Sequence, residues 1–105
     1  MLRGPNGTHR EVLDRYAPVA SMLGSIGASV TRFEHTPRGG WRIVLDGGTE
    51  FVLGAGDPEP VLRRYVVAIG RLFGPGLRGV GLIDLRYVNG FAVRMRESAS
   101  EQGEG

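Results

Sequence analysis

Val12, Tyr16, Val19 and Leu23 recur at steps of four, three and four, which sets them on one face of a helix. Just ahead of them, Thr8-His9-Arg10-Glu11 spells a capping box, in which the Thr8 hydroxyl and the Glu11 carboxylate satisfy backbone amides reciprocally. Pro18 interrupts the pattern, and its missing N–H predicts a kink or a division near Ala17. Gly24 and Gly27 are the predicted stops. Asn6-Gly7-Thr8 also spells a glycosylation acceptor, but capping already accounts for Thr8.

The pattern then changes to a period of two. Ala28–His35 reads as a strand in which Val30 and Phe33 break strict alternation, a sign of a bulge. Pro37-Arg38-Gly39-Gly40 is a turn. Trp41, Ile43 and Leu45 alternate cleanly, as do Phe51 and Leu53. A two-residue loop between these runs sets Leu45 opposite Glu50 and mixes the faces. A three-residue loop, Asp46-Gly47-Gly48, sets Ile43 opposite Phe51 and Trp41 opposite Leu53, with Gly48 at positive φ.

Asp57-Pro58-Glu59 is a strong helix start, with Asp as N-cap, Pro at the first helical position and an acid near the positive dipole end. Val61, Leu62, Tyr65, Val66, Ile69, Leu72 and Phe73 form the expected buried stripe, and Gly74-Pro75-Gly76 ends the helix. Apolar residues alternate again on both sides of Val88-Asn89-Gly90. A two-residue Asn89-Gly90 turn would pair Leu85 with Arg94. A three-residue loop pairs Tyr87 with Phe91, Leu85 with Val93 and Ile83 with Met95, and sets Asp84 against Arg94 on the other face. The expected order is helix, three strands, helix, two strands. This is an α+β fold with an antiparallel, or mixed, sheet, two helices against one face and a terminal β-hairpin with an open edge strand. The residues 98–105 form an acidic, apolar-poor tail that is expected to be disordered, leaving 1–97 as the domain.

Composition narrows the chemistry. The 105 residues suit one domain with a modest core. Net charge is only +2, and all 13 of the Lys+Arg residues are arginine. There is no cysteine, so disulfides and thiolate metal sites are excluded. No apolar run reaches the roughly 20 residues that span a bilayer, and the opening MLRGPNGTHR lacks the apolar stretch of a signal peptide. The chain is expected to be soluble, and any exporting segment of a parent protein would lie outside it.

The sequence holds little catalytic material. Gly74-Pro75-Gly76-Leu77-Arg78-Gly79 matches G-x-G-x-x-G, but a helix precedes it and a strand follows, the reverse of what a dinucleotide site needs. His9 and His35 are the only histidines and lack partners at metal-ligand spacing, so no metal or other cofactor is expected. No serine lies in a nucleophile elbow, and no catalytic residues are expected. The arginines are scattered among eleven acidic residues, which fits a solvated surface better than a nucleic-acid footprint. For the last strand, Phe91–Arg96, two readings stand level. Arg94 and Arg96 are edge charges that discourage aggregation, or the edge is left open for a partner's strand.

Three stretches carry a resemblance: L-x-G-P-x-G…VL-x-x-Y at Leu2–Tyr16, LG-x-GD at Leu53–Asp57, and DLRY-x-x-G-x-AV at Asp84–Val93. In order and spacing they resemble the bacterial cell-division family FtsQ (DivIB), over nearly the whole chain. The resemblance implies the β domain of a single-pass inner-membrane protein, placed in the periplasm at the division septum, without its transmembrane and POTRA segments. It implies a non-catalytic divisome scaffold whose last strand accepts a strand from FtsB, itself coiled with FtsL. By position the contact surface would be Tyr87, Asn89, Gly90, Phe91, Val93 and Met95. Two positions depart from the family pattern: Ala55 stands where arginine is common, and Met95 where some members have tryptophan. Arg63 or Arg64 is expected to supply the charge missing at position 55. The alternative from another class is a POTRA-associated periplasmic domain of an outer-membrane assembly or secretion component.

Overall fold

The computed structural model describes residues 2–4 and 9–96, without the side chains of Arg3 and His9. The Thr8 cap, the Asn6 acceptor and the acidic tail lie outside the described residues. The elements run β1 (Leu2–Arg3), α1 (His9–Gly24), β2 (Val30–His35), β3 (Trp41–Leu45), β4 (Glu50–Leu53), α2 (Pro58–Phe73), a 3₁₀ turn (Pro75–Leu77), β5 (Val80–Asp84) and β6 (Ala92–Met95).

The strands form one sheet in the order of the chain, β1 to β6. β2–β3, β3–β4 and β5–β6 are antiparallel, whereas β1–β2 and β4–β5 are parallel. Parallel neighbours need a long crossover, and α1 and α2 supply the two crossovers. The sheet is therefore mixed and its described edges are β1 and β6. The sequence reading did not include β1, because two residues show no period.

The β3–β4 hairpin has the expected register, with Trp41 opposite Leu53 and Ile43 opposite Phe51. Gly48 takes φ +94 in its loop, and the Leu45 amide donates to the Thr49 carbonyl at 2.8 Å. The bulge in β2 falls between Val30 and Arg32. Asp57 caps α2 by accepting from the Glu59 amide at 3.0 Å.

The helices differ from expectation in two respects. Of the kink or division expected at Pro18, division does not occur, and α1 is continuous from His9 to Gly24. A proline frees only the carbonyl four residues earlier; here that belongs to Asp14, an exposed residue whose carbonyl water can satisfy. Leu72 is 66% exposed, so the buried stripe of α2 is narrower than the apolar letters suggest and centres on Leu62, Val66 and Ile69.

Sheet register explains the core. Phe33, Ile43, Phe51 and Ile83 are successive cross-strand partners and all are fully buried, with Val93 completing the row half-buried at the edge. Val12, Val19 and Leu23 of α1 join Leu62, Val66 and Ile69 of α2 in the same cluster. Phe33 stacks on Trp41 at 5.1 Å and meets Tyr16 edge-on at 5.9 Å. Buried Thr49 satisfies its hydroxyl on the Val80 carbonyl at 2.8 Å, which ties the β3–β4 loop to the start of β5.

Candidate partner-binding edge

β5 and β6 join by a connection that is longer than expected. Ile83 pairs with Val93, Asp84 with Ala92 and Leu82 with Arg94, so residues 85–91 form the loop. The predicted pairs Tyr87–Phe91, Leu85–Val93, Ile83–Met95 and Asp84–Arg94 do not form. The displacement is two residues, which keeps the side chains that remain paired on their expected face; a shift of one would have reversed them.

Local bonding explains the early end of β5. The Leu85 amide donates to the Val52 carbonyl at 2.8 Å, which keeps Leu85 buried against β4. Asp84 then accepts from the Arg86 amide at 3.0 Å and from the Arg86 guanidinium at 2.9 and 2.7 Å. An aspartate that binds the amide two residues on bends the chain out of the strand. The Arg86 hydrogen bond holds the Asp84 carboxyl below its ordinary value, against the opposing effect of burial.

Tyr87 and Val88 consequently stand on an exposed loop, 58% and 84% accessible. Asn89 is exposed and Gly90 partly covered. Phe91 turns inward and meets Tyr65 of α2 edge-on at 5.4 Å, so its aromatic partner is Tyr65 rather than Tyr87. Val93 packs partly on the core, and Met95 is 53% exposed. Val88, outside the six residues expected at the contact surface, is an aliphatic side chain exposed in the turn directly after an aromatic.

β6 is a bare edge among the described residues. The Arg96 amide donates to the Gly79 carbonyl at 2.7 Å, so Arg96 faces β5. Backbone groups alternate along a strand. Ala92 and Arg94 therefore face β5 as well, and Val93 and Met95 direct their N–H and C=O outward.

The same end of the sheet carries a cleft of about 570 Å³ beside the Leu53–Asp57 junction. The buried Trp41 donates its indole N–H to the Gly56 carbonyl at 2.7 Å and fixes that junction, where Gly56 takes φ +100. Ala55, Val52, Arg38, Arg42 and Arg86 line the cleft. Arg42 is paired with Glu50, whose hydrogen bond raises the guanidinium further above its ordinary value. Arg63 and Arg64 do not line it: Arg63 pairs with Glu59 at 3.2 Å and Arg64 stands 5.5 Å from the Tyr65 ring centre. The cations that share the cleft with Ala55 are Arg38, Arg42 and Arg86.

His35 lies beneath the β2–β3 turn, stacked on Trp41 at 4.2 Å with Nε2 3.2 Å from the Gly39 carbonyl. No group of three or more His, Cys, Asp or Glu side chains comes together among the described residues. No described helix is long and apolar enough to cross a membrane.

These features define an open-edged α+β domain whose exposed groups are strand amides, an aromatic loop and arginines. The family model for the C-terminal part of the cell division protein FtsQ/DivIB matches residues 1–86. The chain is 32% identical to a cell division protein FtsQ of Coxiella burnetii over 95 residues, which is 90% of this chain and 39% of that protein. It is 33% identical to the FtsQ of Xanthomonas campestris over 102 residues, 97% of this chain and 36% of that protein. The chain belongs to the FtsQ/DivIB family of cell-division proteins, and it spans under half the length of these curated relatives.

Proposed function

We propose that this domain is a non-catalytic scaffold module of the divisome that docks an FtsB-type partner, carried with FtsL, by β-strand addition to β6. In this reading it lies in the periplasm at the septum, as part of a single-pass inner-membrane protein. The observation that carries the proposal is the outward set of the Val93 and Met95 backbone groups on an edge strand with no described neighbour. Main-chain hydrogen bonds from an added strand supply affinity, and side-chain pockets supply selectivity. Tyr87 and Val88 form an exposed anchor beside the start of that edge, and Asn89 and Gly90 lie in the same loop ahead of β6. The family membership supports the cell-division assignment.

Val93→Pro tests the proposal. Proline at this position removes an outward N–H while sparing the bonds that Ala92 and Arg94 make to β5, and edge strands tolerate it. The expected result is a folded domain that loses at least about tenfold in affinity for an FtsB-type C-terminal peptide, the effect of removing ~1.4 kcal/mol. Full affinity in the folded variant would mean that the partner binds elsewhere.

A further inference from the structure

The two faces of β6 differ in chemistry, and the difference specifies the strand that fits beside it. On the helix side, Phe91 and Val93 pack partly on the core, with Phe91 against Tyr65. On the open side, the cross-strand row runs Arg32, Val44, Glu50, Leu82, Arg94. Arg94 ends that row with an aliphatic residue as its only described neighbour across the sheet. Glu50 lies two strands away, about 10 Å, and is already paired with Arg42. The closer carboxylate, Asp84, is held by Arg86. Among the described residues Arg94 thus faces the open edge with both neighbouring acids occupied.

Arg94 and Arg96 are the cations that line a groove on this face, and Glu50, the one carboxylate that lines it with them, is held by Arg42. Arg96 lies across the β3–β4 loop, with its guanidinium bonded to the Gly47 carbonyl. The groove, of about 430 Å³, runs between Glu50, Gly81, Leu82, Arg94, Met95 and Arg96. It leaves Arg94 and Met95 open to solvent.

We infer that β6 selects a strand of alternating character, apolar on the helix side and carboxylate-bearing on the open face, with a Glu or Asp placed opposite Arg94. The inference rests on the strand-addition reading and goes beyond it by naming the partner's side-chain pattern. Opposite charges on directly facing residues stabilise a strand pair, and like charges oppose it. Arg94 and Arg96 also favour encounter with an acidic segment and make its rate depend on salt. Backbone bonding alone would accept any extended peptide, so Arg94 supplies the selection.

The test uses three synthetic peptides: one alternating Glu with Val and Thr, and two others with every Glu replaced by Gln or by Lys. Each is titrated against the wild-type chain, Arg94→Glu and Val93→Pro. The expected result is that the wild type binds the Glu peptide at least about tenfold tighter than the Gln peptide, that this margin shrinks at high salt, and that Arg94→Glu prefers the Lys peptide. If the three peptides bind the wild type alike and Val93→Pro weakens all of them, strand addition stands and charge selection by Arg94 is wrong. If Val93→Pro binds as the wild type does, or no peptide binds, the edge reading fails and takes this inference with it. Self-association of Arg94→Glu with no change in peptide preference would make Arg94 a guard against edge pairing and also overturn the inference.

Discussion

Asp84 holds Arg86 through a two-point ion pair, Oδ2 to Nη2 at 2.7 Å and Oδ1 to Nε at 2.9 Å, and this clasp ends β5 and directs the chain into the exposed loop. Asp84 is the buried partner and Arg86 the exposed one, so the pair joins the sheet to the surface that carries Tyr87.

The clasp predicts an acid-sensitive contribution to stability. The folded-state carboxyl of Asp84 lies below its ordinary value because Arg86 bonds the charged form. The contribution is therefore present above the unfolded value of about 3.9 and is lost as pH falls through the lower folded value. Asp84→Asn should flatten this part of the stability profile below roughly pH 4, as read from urea midpoints across the acid range. A profile identical to that of the wild type would show that the pair adds nothing to folding.

Phe91→Ala should destabilise the domain by about 2 kcal/mol, less than a fully buried ring because Phe91 is only partly covered. Its edge-on contact with Tyr65 is what fastens the start of β6 to α2. Phe91→Leu should recover most of the loss, leaving a deficit of about 1 kcal/mol for the missing ring pair. Thermal melts of the two variants separate these contributions.

Gly40→Ala should cost about 3 kcal/mol, the upper end for forced overpacking. A Cβ at position 40 would lie 2.6 Å from the Leu53 carbonyl oxygen, and a backbone atom at a strand end cannot move aside cheaply. The Gly40 amide is also bonded to the Thr36 hydroxyl at 3.1 Å, so the turn has little freedom to relax. Circular dichroism of the melted and native states gives the measurement.

Tyr87→Ala should weaken partner binding by about 2 kcal/mol, the usual size for an interface anchor, with little change in melting temperature. Its 58% exposure and position outside both strands leave it few contacts to lose within the fold. Unfolding of the variant would place Tyr87 in the core instead.

The sequence revealed most where pattern and turn chemistry agreed. Asp57-Pro58 fixed the start of α2, and the face rule chose the three-residue loop that pairs Ile43 with Phe51. It failed at β5–β6 for a physical reason. Face alternation fixes a register only modulo two residues, and both the three-residue loop and the observed seven-residue connection over 85–91 satisfy it. The choice between them was made by the Asp84 clasp and by the Leu85 amide bonding to Val52, a contact with a parallel neighbour that local pattern does not encode. Leu72 misled for a similar reason: apolar letters at helical spacing do not say how wide the covered stripe is. Of the six predicted contact residues, Val93 and Met95 lie on the edge, Tyr87, Asn89 and Gly90 lie in the loop beside it, and Phe91 turns inward to brace the strand.

Amide hydrogen exchange on β6, with and without an FtsB-type C-terminal peptide, separates strand addition at this edge from binding elsewhere on the domain. In the free domain the Val93 and Met95 amides face outward and should exchange fast, whereas the Arg94 amide is already bonded to β5. Binding by strand addition predicts that saturating peptide slows exchange at Val93 and Met95 by at least about tenfold, with a smaller change at Arg94. Saturable binding that leaves Val93 and Met95 exchanging as in the free domain would mean that the partner does not pair with β6.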